Sequence, residues 1–295
     1  MGLASALAAM FVGTSQGQIF VANSGNGTIG EYTLSGATVN ASLISGLYDP
    51  TALAYDGNGH LFVASIVAQG DTRAVVGEYT ISGAPVNASL LSGPQQYFPA
   101  ALALDGSGDL FVAFDNGAVW AYTTSGTPLY ASSLTSLPGT YPGGLAYDGN
   151  GHLFASYGYG GVGEYTTSGA PVNSWTLAGL GYPGGLVLDG NNLFVADQVA
   201  GKIREYTISG TTVSSSLVSG LNNPWGLASD GSGHLFEAED DANQIGEYTM
   251  AGATVNASLI TGLSSPSAVV VVVPEPSCGC LAGLALGWFL FKSRR

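Results

Sequence analysis

Six times along its 295 residues the chain repeats an apolar pair: Ile19-Phe20, Leu61-Phe62, Leu110-Phe111, Leu153-Phe154, Leu193-Phe194 and Leu235-Phe236. The steps from Phe to Phe are 42, 49, 43, 40 and 42 residues. A second anchor, mostly Glu-Tyr-Thr, follows each pair at Tyr32, Tyr79, Tyr122, Tyr165, Tyr206 and Tyr248. A period of this size marks supersecondary units that cannot each bury a hydrophobic face alone and must stack on one another.

The unit from Pro50 to Leu91 shows what is stacked. "PTALAYDG" alternates small apolar residues and stops at an Asp-Gly turn, which predicts an inner strand. "GHLFVAS" predicts a second strand, and Asp56-Gly57-Asn58-Gly59 between them has hairpin chemistry. "VVGEYTISG" and "APVNASLLSG" predict a third and a fourth strand, each closed by Ser-Gly. Six such units without helical periodicity describe a six-bladed β-propeller of four-stranded antiparallel blades around a central channel, an all-β fold.

Closure can be read from spacing. The first unit starts at Gln18 with a second strand, so its inner strand is missing. After the sixth unit comes "SSPSAVVVVV", and Tyr248 lies as far before Ser267 as Tyr32 lies before Thr51. Ala268 therefore takes the place that Ala52 holds, and the C-terminal strand is predicted to complete the N-terminal blade. That removes the open edge of the ring.

Charged residues make up 9 % of the chain, and Gly alone contributes 45 residues, a neutral, turn-rich surface that suits an exported β protein. Three of the six cationic residues lie in the last four positions, so the body opposes three cations to twenty acids. Such a body repels phosphate and excludes nucleic-acid binding as a function. Both cysteines, Cys278 and Cys280, lie outside the repeats, so neither a disulfide framework nor a Cys-based zinc site holds the propeller.

The consensus "P-x-G-L-x-x-D-G-x-G-x-L-F-V-A-D…I-x-E-Y" is cleanest at Pro183–Tyr206 and recurs at Pro224–Tyr248. It resembles the NHL repeat and its relatives in bacterial six-bladed propellers, over residues 18–273. The resemblance implies the fold. It leaves function open among binding platforms, scaffolds and, more rarely, hydrolases or lyases.

The ends read differently. Residues 274–295 comprise Pro274, Glu275 and Pro276, an apolar run from Cys278 to Phe291, and a basic end with Lys292, Arg294 and Arg295. The run is shorter than a comfortable spanning helix, and cations after it suit a segment whose end stays in the cytoplasm. The ordered set resembles the PEP-CTERM sorting signal of exported proteins in Gram-negative bacteria. That resemblance implies an exosortase-type membrane protease as partner, cleavage near Pro-Glu-Pro, and a link to extracellular polysaccharide. At the other end, residues 1–17 resemble the apolar core of a signal peptide that lacks its basic start. The expected location is exported, transiently membrane-anchored, then cell surface or extracellular.

Candidate sites follow from what breaks the repeat. His60, His152 and His234 hold one repeat position on alternate units, so they cannot converge on one ion and are expected to cap turns; none is expected to have its own Asp partner. Asp56, Asp105, Asp148, Asp189 and Asp230 precede Gly at the first hairpin, as turn chemistry requires. Glu31, Glu78, Glu164, Glu205 and Glu247 share the third strand with the Tyr anchors but on the opposite face, and are expected at the surface, with the Tyr rings between blades. The sixth unit alone gathers Glu237, Glu239, Asp240 and Asp241, and Glu239, Asp240 and Asp241 are the candidate ligands for Ca²⁺. The loops before the inner strands carry Tyr48, Tyr97, Phe98, Tyr141, Tyr182 and Trp225, a candidate ligand rim on the same face as the loops after the second strands.

Within the repeats, residues 18–273, no Gly-x-Ser-x-Gly elbow, Cys nucleophile or Walker-type phosphate loop is present. The expected function is a monomeric, non-catalytic binding or structural module without a cofactor, with extracellular polysaccharide or an envelope protein as partner. The competing expectation is a metal-dependent, lactonase-like hydrolase using carboxylates at the channel mouth.

Overall fold

The computed structural model describes residues 17–68, 73–92, 97–130, 133–138, 140–158, 160–177 and 180–273. Six four-stranded antiparallel sheets form the blades of a propeller, and no helix occurs among the described residues. Blade 2 consists of Tyr48–Tyr55, His60–Ile66, Ala74–Thr80 and Pro85–Ser92, in that order from the centre outward. In blade 3 the outer strand shrinks to Thr135–Ser136. The signal-like segment before Gly17, the sorting motif, the basic end and both cysteines lie outside the described residues.

Ring closure follows the predicted register. Pro266–Val272 pairs antiparallel with Gln18–Asn23, with Ala268 opposite Ala22 and Val272 opposite Gln18. The first blade is therefore built from both ends of the repeat region, and its inner strand is the last one in sequence.

The core is divided among six seams, because each blade presents two apolar faces and needs a neighbour for each. The Phe anchors and all six Tyr anchors are buried. Tyr32 packs with Phe236, Ala238, Ile245 and Ile260 of blade 6, and Tyr79 with Phe20, Ala22, Ile29 and Ile44 of blade 1. Each Tyr ring reaches back over the preceding blade. The Glu-Tyr-Thr strands make room for it: a Cβ on Gly246 would lie 2.7 Å from a ring carbon of Tyr248, and Gly30, Gly77 and Gly163 are related in the same way to Tyr32, Tyr79 and Tyr165. The Ser-Gly turns also serve the seams, since a Cβ on Gly83 would meet the Leu43 carbonyl of the preceding blade at 2.6 Å.

The inner strands approach one another closely enough to fill most of the channel. Ala52, Ala101, Gly144, Gly185, Gly226 and Ala268 share one repeat position around the axis, and only about 70 Å³ remains among them. The two ends of the channel are therefore separate places.

Candidate functional site

Each inner strand begins near a proline, and the residue before it lies at the channel mouth. In ring order from blade 2 these residues are Asp49, Phe98, Tyr141, Tyr182, Asn223 and Ser265. Three successive blades supply aromatic rings and the other three supply polar groups. Asp49, Tyr141, Asn223 and Ser265 have φ of +45°, +57°, +57° and +48°, left-handed backbone that non-glycine residues adopt at a cost. The loop after the second strand holds this position in place. The N–H groups of Ser24, Asp115, Gln198 and Asp240 donate to the carbonyls of Ser265, Phe98, Tyr182 and Asn223 at 3.0, 2.9, 3.1 and 3.2 Å.

The result is a cup of about 320 Å³, with Phe98, Tyr141, Tyr182 and Trp225 on its aromatic side and the carboxylates of Asp49, Asp115 and Asp240 among its lining. The Tyr182 and Trp225 rings stand 6.4 Å apart and tilted by 35°. Among the described residues no Lys, Arg or His lines the cup. Asp115 Oδ1 accepts the Phe98 N–H at 3.2 Å, and Asp240 Oδ2 accepts from Asn223 Nδ2 at 3.2 Å. Burial pushes the Asp49 carboxyl above its ordinary range, and the nearby Asp240 charge adds to this. Burial also raises Asp115, against the pull of backbone N–H groups of Phe98 and Asn116. Asp240 is raised by burial and by Asp241, against a hydrogen bond with Ser265. Three carboxylates thus share an enclosure that no positive side chain among the described lining residues balances.

Of the six aromatics expected at a rim, four line the cup. Tyr48 and Tyr97 do not. Tyr48 borders a separate depression with Ser65, Ile66 and Val67, and Tyr97 packs against the seam of blades 2 and 3. Both are two residues before their prolines, and successive residues of an extended chain point to opposite sides.

The acids of blade 6 also part company. Asp240 lines the cup, whereas Glu239 borders another cavity with Gln244 and Tyr248. Glu239 accepts the Asn222 N–H at 2.6 Å and Gln244 Nε2 at 2.7 Å. Asp241 is exposed and lines neither cavity. Among the described residues no group of three or more His, Cys, Asp or Glu is placed to hold a metal ion, so Glu239, Asp240 and Asp241 form no such set. Sequence reasoning missed Asp49 and Asp115, whose signal was their columns: Asp49 is the only acid before a proline of the ring, and Asp115 aligns with Asp240.

At the opposite end of the channel the histidines cap turns, and they do have acid partners, contrary to expectation. The His60, His152 and His234 N–H groups each donate at 3.0 Å to Oδ1 of Asp56, Asp148 and Asp230. Their Nδ1 atoms lie 2.9, 3.1 and 2.9 Å from the other oxygen of the same carboxyl. A spacing of four residues across a tight turn brings the two side chains together. Glu78, Glu164 and Glu247 lie within 3.8, 3.6 and 4.0 Å of the same rings. Glu78, Glu164 and Glu247 are thus half-buried partners of these turns, and Glu31, bonded to Gln18, is buried, where a surface position was expected.

The remaining acid of blade 6 is Glu237. It stands where Val21, Val63, Val112 and Val195 stand in other blades, is 0 % exposed, and neither of its oxygens has a hydrogen-bond partner. Burial, reinforced by Glu239, raises its carboxyl well above the usual range. It belongs to a seam and does not line the cup.

Fold and site define a six-bladed β-propeller with a ligand-sized cup at one end of a nearly filled channel. Solved structures share the fold. A nidogen/laminin complex chain aligns with a TM-score of 0.72 at 16 % identity, covering 87 % of this chain and 98 % of that one. A Bacteroides caccae protein of unknown function gives 0.65 at 16 % identity, covering 88 % and 100 %. A streptogramin B lyase gives 0.58 at 18 % identity, covering 74 % and 72 %. At these identities the likeness is one of fold alone. No protein-family model matches the chain, and no curated protein matches it.

Proposed function

We propose that this chain is an exported, surface-sorted binding module that holds part of an extracellular polysaccharide in the cup and performs no catalysis on it. The observation that carries this reading is the divided ring at the channel mouth. Four aromatic rings and three carboxylates break a sixfold repeat at one place, on a floor closed by small residues. Ligand sites are concave, largely apolar, and carry a few convergent polar groups, and 320 Å³ is at the small end of their range, enough for one sugar unit of a polymer. The nidogen/laminin neighbour is a propeller in a binding complex, which is compatible with the reading; the lyase neighbour shows that the fold also carries enzymes.

Export and sorting rest on the sequence of the ends: the apolar stretch within residues 1–17, the Pro274-Glu275-Pro276 motif, the apolar run and the basic end. An exosortase-type protease is the partner this implies. Two measurements test the function. The purified propeller, residues 18–273, should bind oligosaccharides on a glycan array, with signals that Tyr182→Ala and Trp225→Ala abolish. Binding that survives both substitutions would place the site elsewhere. Removing residues 274–295 should release the protein to the medium or strand it in the periplasm, and unchanged surface location would end the sorting reading.

A further inference from the structure

The cup distinguishes donors from acceptors. Three Ser and Thr hydroxyls line it besides the carboxylates, and each already donates its proton to a backbone carbonyl. Ser267 Oγ donates to Pro50 at 2.6 Å, Thr51 Oγ1 to Pro99 at 2.6 Å, and Ser24 Oγ to Ser265 at 3.1 Å. The first two bonds stitch inner strands of neighbouring blades together and the third ties the loop after Gln18–Asn23 to the residue before the closing strand of the same blade, so all three belong to the architecture. They leave the hydroxyls facing the cup as acceptors. The carboxylates of Asp49, Asp115 and Asp240 accept only, once ionised. Away from the aromatic rings, every side-chain polar group on the lining therefore offers lone pairs.

A neutral sugar hydroxyl has both a proton to give and lone pairs to satisfy, and the carboxylate side of the cup serves only the first. A protonated amine gives three protons and has no lone pair. It also relieves the repulsion that Asp240 exerts on Asp49, and the faces of Trp225, Tyr182, Tyr141 and Phe98 attract a cation. The Tyr182–Trp225 pair places two rings 6.4 Å apart, more aromatic surface than a slim lysine stem covers and enough for the C–H face of a pyranose ring. From this geometry we infer that the cup selects an amino sugar carrying a free, protonated amine, seated with its ring on the aromatics and its ammonium among Asp49, Asp115 and Asp240. The inference rests on the reading of the cup as a saccharide site and specifies its ligand.

The test uses the propeller with oligomers that share one frame: glucosamine oligomers, their N-acetylated counterparts, and neutral cello-oligomers, with a lysine-rich peptide as the fourth probe. Calorimetry in mildly acidic buffer should find the free-amine oligomer bound roughly tenfold or more tighter than either neutral one. Added salt should weaken it, and Asp49→Asn and Asp240→Asn should each remove most of the preference. Trp225 fluorescence should change with the same midpoint, and the thermal midpoints of the two variants should show that they are folded. Equal affinity for neutral and cationic oligomers overturns the inference while leaving the binding module intact. Equal or tighter binding of the peptide shows that charge alone is read and overturns the sugar frame. No binding by any oligomer defeats both.

Discussion

Single residues in this protein are governed by how closely backbones approach. Gly143 follows the proline of blade 4, and a Cβ there would lie 2.2 Å from the Pro183 carbonyl oxygen and 2.7 Å from the Gly184 Cα of blade 5. Both obstacles are main chain, which cannot rotate away. Gly143→Ala is expected to destabilise the fold by about 2–3 kcal/mol, read as a lower chemical-denaturation midpoint at unchanged slope. Gly57 has nothing within 4 Å of such a Cβ but has φ +78°, so Gly57→Ala should cost only about 1–2 kcal/mol of backbone strain. The turn acids set another residue-scale expectation. At Asp230 burial alone would raise the carboxyl, but hydrogen bonds from Ser232 and His234 outweigh it and hold it down to about 2; Asp56 and Asp148 are lowered likewise against burial. A depressed acid stabilises the fold above its unfolded pKa, and that contribution fades as pH falls through the folded one. Stability should therefore drop between about pH 4 and pH 2, and an Asp56→Asn, Asp148→Asn, Asp230→Asn triple variant should be less stable at neutral pH with a flatter acid limb.

At the scale of elements, the seams between blades decide stability, and blade 6 carries a flaw in one of them. Glu237 faces the same side of its strand as Leu235 and Glu239, and its strand partner Gly246 precedes Tyr248, whose hydroxyl is pushed far up by burial and then by these two acids. In blade 5 the column of Glu239 holds buried Asp197, which Arg204 Nε meets at 2.8 Å; the column of Arg204 in blade 6 is Gly246. At the columns of Glu237, Glu239 and Gly246, blade 6 thus has one acid more and one cation fewer than blade 5. An acid whose folded pKa is raised loses stability for the fold as pH rises past its unfolded value and on through the folded one. Glu237→Val, which introduces the residue found in four other blades, should raise stability at neutral pH by about 1–3 kcal/mol and remove a decline between mildly acidic and neutral pH. An unchanged pH profile would show that Glu237 is not its source. The two pH effects fall in different windows, so one titration separates them.

The elements also show what could be read ahead of the structure. Strand order, seam tyrosines and the closing strand were legible because each rests on spacing, and spacing is local. The cup was legible only in part. Phe98, Tyr141, Tyr182 and Trp225 announced themselves by type, but Asp49 and Asp115 come from different columns of the repeat and share the cup only because blade packs against blade. The misplacement of Tyr48 and Tyr97 is a matter of one residue, since in their blades the position just before proline, Asp49 or Phe98, lines the cup and its predecessor does not. The unpaired state of Glu237 had no signal beyond its being an acid in a column of valines.

For the whole molecule, closure by Pro266–Val272 makes the ring one cooperative body. Deleting residues 266–273 uncovers the Gln18–Asn23 strand and both flanking seams, and should cost most of the folding free energy, seen as loss of a sharp thermal transition. Linking Val273 to Gly17 by a short turn and opening the chain between Gly57 and Asn58 should instead give a stable protein, because Val272 and Gln18 are already paired as other hairpins are. The same pairing gives the molecule a front and a back. Every inner strand, the closing one included, runs from the cup to the turns on the far side, so Gly17 and Val273 both emerge on the side away from the cup. Anything fastened to the chain beyond Val273 holds the propeller from behind. If that is a bilayer, the open aromatic bowl looks outward into whatever surrounds the cell, with its negative charges at the furthest reach from the anchoring surface.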